Sequence, residues 1–168
     1  MEFTQDELLA QPADMSFEKR TRRPPMNEIN ALISFGNTVL YNLLAFQINR
    51  SPLDIRVGFL HATNARMESL NLDVAELFKP LLVDRTVFSM VNLHGLRKEH
   101  FDAEENGAVY LTEDGKRIFL QAFYRRLDAV ITEKETHIPY SQVIRQEIQK
   151  LVRTFRDGEK YKAFRQVR

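Results

Sequence analysis

The chain has no cysteine among its 168 residues, so disulfides and thiolate metal sites are excluded, and a reducing compartment is permitted. It also lacks a charge of one sign. Twenty-four Lys and Arg against 23 Asp and Glu leave a net charge of +1, too small for an overall nucleic-acid signature. The start, Met1-Glu2-Phe3-Thr4-Gln5-Asp6-Glu7, is acidic where a secretory leader needs a basic segment. No apolar run approaches the roughly 20 residues of a membrane span. There is no Gly-rich phosphate loop, and no Ser-His-Asp or Cys-His order, internal repeat or low-complexity tract. These absences point to a cytoplasmic protein with no membrane partner.

With 43% hydrophobic residues the chain is long enough for one domain with a buried core. Residues 1–25 read as a lead-in segment. Pro12, the basic block Lys19-Arg20-Thr21-Arg22-Arg23 and Pro24-Pro25 interrupt regular structure there. Residues 26–168 read as a mainly α, multi-helix domain with at most one minor β-hairpin.

Asn27 is an N-cap by residue type, and Asn27–Asn49 has the pattern of a long central helix. Ile29, Leu32, Ile33, Val39, Leu40, Leu43, Leu44 and Phe46 cover most of its circumference. Asn30, Ser34, Asn37 and Tyr41 form a polar stripe at spacings of four, three and four. Such a stripe is either bonded locally and to neighbouring helices or the wall of a polar cleft. Ser51-Pro52 ends this helix, and Ser69 or Asn71 can cap the next, with Leu72, Ala75, Leu77 and Phe78 inward.

Pro80 either kinks that helix or starts another, and Asp84-Arg85 interrupts the apolar run Leu81–Leu93; a near-buried ion pair is one explanation. Asn106-Gly107 suggests a hairpin within 100–112. Thr112 caps a helix to about Ile131, and Pro139 or Tyr140 opens a last helix that ends at Asp157-Gly158, with Phe155 on its inward face. The C-terminal basic residues, from Arg145 to Arg168, read either as solvated helix faces or as a phosphate-holding patch.

Chemistry concentrates between positions 58 and 80. Asp73 and Glu76, three residues apart, share one face of a helix, with Cβ atoms about 5–6 Å apart, and Lys79 follows on the same side. His61 precedes them at the end of Gly58-Phe59-Leu60-His61. One imidazole and two carboxylates are reasonable ligands for a divalent ion, which could polarise a phosphoryl oxygen and activate a nucleophile. His94, His100 and His137 have no acidic partners at such spacing.

These residues also carry a resemblance. Arg22-Arg23-Pro24-Pro25, Asn30-Ala31-Leu32-Ile33-Ser34-Phe35-Gly36-Asn37, Gly58-Phe59-Leu60-His61, Ser69-Leu70-Asn71-Leu72-Asp73-Val74-Ala75-Glu76, Phe78-Lys79-Pro80 and Val83-Asp84-Arg85 occur in the order of the C-terminal helical domain of the CRISPR-associated integrase. The likeness is to versions found with subtype I-B systems, and it is most specific over 22–86. It implies a metal-dependent DNA endonuclease/integrase that inserts spacers into CRISPR arrays by transesterification. It implies Mg2+ or Mn2+ held by a Glu, a His matching His61 and a second acid matching Glu76. Asp73 matches an acidic position close to the metal, and Lys79, with Arg66 and Arg85, would meet DNA. Asn30, Ser34 and Asn37 would line the cleft near His61.

The resemblance further implies a homodimer, a small ferredoxin-fold partner protein, a protospacer DNA duplex and the CRISPR repeat. The family's first ligand Glu lies before the segment matching Phe17-Glu18-Lys19-Arg20, and neither Glu2 nor Glu7 matches it. The expectation is therefore a fragment that also lacks the N-terminal β domain: an isolated domain, a truncated frame or half of a split gene, inactive or poorly active alone. The alternative is a non-catalytic helical domain that binds DNA or a partner protein.

Overall fold

The computed structural model describes residues 19–21, 23–60, 68–93, 95–133 and 136–165. Helix α1 spans Glu28–Asn49, α2 Leu70–Phe78 and α3 Arg85–Asn92, with a π-helical segment, Lys79–Asp84, between the last two. A 3-10 turn (Lys98–His100) precedes strands β1 (Phe101–Ala103) and β2 (Val109–Leu111). Helix α4 (Glu113–Leu127), strands β3 (Val130–Glu133) and β4 (Thr136–Pro139) and helix α5 (Tyr140–Asp157) follow. The fold is mainly α, as the sequence pattern predicts. Among the described residues the strand pairs number two rather than at most one, both antiparallel.

The chain groups into two compact units. Among the described residues, one comprises those up to Thr38 with Pro80–Arg125, the other Val39–Lys79 with those from Arg126 onward.

In the first unit Asn27 caps α1 as its residue type predicts: its Oδ1 accepts the Asn30 N–H at 2.8 Å. Gly36 lets α1 be approached closely. A Cβ there would fall 2.7 Å from Val83 Cγ1 and 2.8 Å from Phe119 Cζ, and Phe119 also packs edge-on against Phe35. The hairpin turns where Asn106-Gly107 predicts it: Gly107 takes φ +80°, and Asn106 Oδ1 accepts the Ala108 N–H at 2.8 Å. The Val109 N–H donates to Pro25 O at 2.9 Å, fastening the lead-in to this hairpin. Thr112 Oγ1 accepts the Gly115 N–H at 3.1 Å and caps α4.

In the second unit Leu40, Leu44, Ile48, Val74, Ala75, Phe78, Tyr140, Ile144 and Leu151 are buried. Helix α4 stops at Leu127 rather than near Ile131. The β-branched run Val130-Ile131-Thr132 pairs instead with His137, Ile138 and Pro139. Val130 is consequently exposed. Helix α5 ends at Gly158 in the left-handed region, φ +70°. Two further expected core residues face out. Phe155 lies beyond Leu151 and Val152, the last buried positions of α5, and Phe46 lies on the open side of α1 with the Arg50 guanidinium 5.3 Å from its ring centroid.

Helix α1 is itself long and apolar enough, by length and composition, to cross a membrane. That differs from the expectation of no such run, because Ala, Gly and Asn dilute the apolar stretch without lowering its mean hydropathy below 1.3. It serves as a core helix: Leu32, Leu40, Leu44 and Ile48 are fully covered.

The π-helical turn has a local cause. Pro80 has no N–H to donate to the carbonyl four residues back, and its ring crowds that carbonyl. The backbone widens over Lys79–Asp84 instead of breaking. Arg85 is exposed, so a buried Asp84–Arg85 pair is not what interrupts the apolar run.

Candidate active site on helix α2

Helix α2 is short and nearly surrounded. Leu70, Asn71, Leu72, Asp73, Val74 and Ala75 are buried in succession, then Phe78, while Glu76 faces out and Leu77 is half-buried. The two carboxylates thus have different surroundings despite their three-residue spacing. Asp73 is 2% exposed, and the Glu76 side chain 45%.

Asp73 points toward the segment before the helix. Its Oδ2 accepts the Phe59 N–H at 2.5 Å and the Leu60 N–H at 2.9 Å. Ser69, expected as a helix cap, makes no capping bond. Its Oγ accepts the Gly58 N–H at 2.8 Å and donates to Arg56 O at 2.8 Å. Ile55 O accepts the N–H groups of Ser69 and Leu70 at 3.1 and 3.0 Å. The residues that start α2 are therefore spent on holding the chain over 55–60.

Glu76 meets Lys79 one turn on, with Nζ donating to Oε1 at 2.5 Å. Lys79 Nζ also lies 5.2 Å from the Tyr41 ring centroid. Burial disfavours the charge on Lys79, but hydrogen bonds to Glu76 and Tyr41 outweigh it and hold the ammonium above the usual lysine range. Asn71 donates from Nδ2 to Tyr41 O at 3.5 Å, and its Oδ1 is buried with no hydrogen-bond partner among the described residues.

As a metal donor set, the described residues are uneven. Glu76 fits: its carboxylate is half-exposed, and its Oε2 has no partner among the described residues. Asp73 presents an oxygen already taken by two backbone amides. Among the described residues no group of three or more His, Asp or Glu could hold an ion. His61 and Arg66 lie outside the described residues.

The stripe on α1 is partly accounted for within the first unit. Asn30 is fully buried. Its Oδ1 accepts from Arg20 Nη1 at 2.8 Å and the Thr21 N–H at 3.1 Å, and its Nδ2 donates to Lys19 O at 2.9 Å. Ser34 Oγ accepts from Arg20 Nη2 at 3.2 Å. Ser34 also lines a cavity of about 710 Å³ with Arg23, Phe35, Tyr110 and Lys116. Asn37 Oδ1 is buried with no partner among the described residues. The cleft these three were expected to share with His61 involves a residue outside those described.

Sequence reasoning missed a second buried carboxylate. Glu147, on α5, is fully covered. Its Oε1 accepts the Tyr161 hydroxyl at 2.5 Å and the Phe164 N–H at 3.2 Å, and its Oε2 accepts from Lys150 at 2.7 Å. Phe164 stacks on Phe78 of α2 with ring centroids 6.4 Å apart. The only sequence signal was an acidic residue at an apolar-face position, four after Val143 and one before Ile148. In the basic C-terminal region Lys150, Arg153 and Arg156 are each ion-paired, to Glu147, Glu159 and Asp157.

Comparison with known proteins places this arrangement. Residues 3–125 match the model of the family described as CRISPR associated protein Cas1. A CRISPR-associated endonuclease Cas1 of Thermodesulfovibrio yellowstonii is 46% identical over 150 residues, covering 88% of this chain and 45% of that relative. A solved structure of a CAS1 protein from Thermotoga maritima superposes with TM-score 0.82 at 36% identity, over 96% of this chain and 50% of that one. A casposase bound to integration product shares the fold, with TM-score 0.81 at 24% identity, over 89% of this chain and 45% of its own. The chain spans about half the length of the curated relatives it matches. With most of its length under the family model, the chain belongs to the Cas1 family of CRISPR-associated proteins.

Proposed function

We propose that this chain carries part of the catalytic apparatus of a metal-dependent DNA endonuclease/integrase that acts in CRISPR spacer acquisition in the cytoplasm, and that it corresponds to the C-terminal helical domain. The observation that carries the reading is Glu76. In a chain of this family it is a half-exposed carboxylate on a nearly buried helix, with one oxygen uncommitted among the described residues and a charged amine beside it. His61 and Glu76 would hold Mg2+ or Mn2+. The ion, when bound, would supply electrophilic activation of a phosphodiester and stabilise a leaving oxygen.

The chain's own residues bind and orient. Lys79 is kept protonated beside Glu76, ready to meet a phosphate oxygen as a point charge. Arg66 and Arg85 are proposed to meet DNA phosphates, and Arg85 is exposed. The substrates are a protospacer duplex and a CRISPR repeat, and the working assembly contains a homodimer and a small ferredoxin-fold partner protein. His61 and Glu76 make two protein ligands, and affinity falls with ligand count, so metal binding by the chain alone is expected to be weak.

The test is Mn2+-dependent joining of a short duplex to a repeat-containing plasmid, with the chain alone and supplemented with the rest of a full-length relative. Integration that requires Mn2+ and is lost in Glu76→Ala supports the reading. Robust integration by Glu76→Ala overturns it.

A further inference from the structure

We infer that Asp73 is a positioning residue rather than a metal ligand: it latches the Gly58–Leu60 backbone, from which the chain enters His61. The inference rests on the reading of His61 and Glu76 as the metal-binding pair.

Two adjacent N–H groups, of Phe59 and Leu60, donate to the same oxygen, Asp73 Oδ2, at 2.5 and 2.9 Å. Consecutive amides turned toward one anion form a small concave cradle, and charge assistance makes such bonds stronger than neutral ones. The carboxylate filling the cradle is buried, with 2% exposure.

Two further residues have the same purpose. Ser69 Oγ bridges the Gly58 N–H and the Arg56 carbonyl, both at 2.8 Å. Gly58 is where the segment passes closest to α2: a Cβ there would lie 2.7 Å from Asp73 Oδ2 and 2.7 Å from Ser69 Oγ. Any other residue would push the backbone off the latch. The two acids spaced three apart on one helix thus divide into two duties. Asp73 is turned inward to backbone amides, and Glu76, one turn on, is turned outward with an oxygen uncommitted among the described residues.

The experiment uses the full chain in four variants, Asp73→Asn, Asp73→Ala, Gly58→Ala and Glu76→Gln. Hydrogen exchange of the Phe59 and Leu60 amides is measured beside Mn2+ affinity. An amide oxygen accepts both bonds without the charge, so Asp73→Asn is expected to keep the amides protected and Mn2+ affinity within about threefold. Asp73→Ala and Gly58→Ala are expected to speed exchange and weaken Mn2+ by about tenfold, the equivalent of one hydrogen bond. Glu76→Gln is expected to weaken Mn2+ and leave both amides protected.

If Gly58→Ala fails to fold, Ser69→Ala takes its place, with the same expectation. Asp73→Asn losing Mn2+ as completely as Glu76→Gln while its amides stay protected would overturn the inference. So would amides that stay protected in Asp73→Ala. Wild-type chain that binds no Mn2+ would sink the metal reading instead, and the latch would then be decided by amide exchange alone.

Discussion

Lys79 Nζ lies 2.5 Å from Glu76 Oε1, so the proposed ligand enters any metal complex already neutralised by an amine. An incoming divalent ion has to compete with that ammonium for the same carboxylate. Lys79→Met should therefore bind Mn2+ about three- to tenfold more tightly, since a like charge beside the site is removed. The same variant should bind duplex DNA more weakly, with the slope of affinity against salt reduced by about one. Calorimetry for the metal and fluorescence anisotropy at several salt concentrations check both signs.

The Tyr161 hydroxyl should report the docking of the C-terminal segment. Burial, then the bond to Glu147 and its charge, push this phenol well above the ordinary tyrosine range. The folded value lies above the unfolded one. The associated stability is therefore complete below the unfolded tyrosine value of about 10 and is lost as pH rises from there through the folded value. An absorbance titration should show a late-ionising tyrosine, and Tyr161→Phe should remove that late phase. The same variant should cost about 1.5–3 kcal/mol, as for a lost bond to a charged group, read from urea unfolding at neutral pH.

Gly36→Ala should destabilise the first unit. The added methyl would sit 2.7 Å from Val83 Cγ1 and 2.8 Å from Phe119 Cζ, neither of which is the free end of a flexible chain. Overpacking of this kind costs about 1–3 kcal/mol, partly offset by the gain of about 1 kcal/mol that alanine brings to a helix. A lowered melting temperature is expected, and Gly36→Ala with Val83→Ala should recover part of it.

Asn30→Ala should release the lead-in. It removes the acceptor of Arg20 and Thr21 and the donor to Lys19. Leaving the Thr21 N–H and the Lys19 carbonyl unsatisfied should cost about 1–3 kcal/mol. Trypsin should then cut after Arg20 faster than in the wild type, with fragments identified by mass spectrometry.

Much of the fold was legible because its boundaries are written in local chemistry. Asn27, Thr112, Asn106-Gly107 and Gly158 each act on backbone within a few residues, and each does in the structure what its type suggests. The second hairpin was missed because Val130-Ile131 continues the apolar spacing of α4, and only its partner strand, Thr136–Pro139, reveals it as a strand. At the candidate site, spacing placed Asp73 and Glu76 on one side of a helix but could not say that one would face backbone amides and the other solvent. Ser69 looked like a cap for the same reason: its hydroxyl had a short-range role available, and a residue eleven positions back took it. Glu147 was invisible because its partners, Tyr161 and Phe164, come fourteen and seventeen positions later.

That last distance has a consequence for synthesis. A ribosome releases Glu147 before Tyr161 and Phe164, and Phe78 has by then been waiting for its stacking partner through more than eighty codons. Until residue 164 emerges, α2 has an uncovered aromatic ring and α5 a carboxylate without its hydroxyl and amide donors. The helix bearing Glu76 and Asp73 is therefore closed only once residue 164 has emerged, which ties assembly of the proposed catalytic surface to synthesis of the segment that carries Phe164.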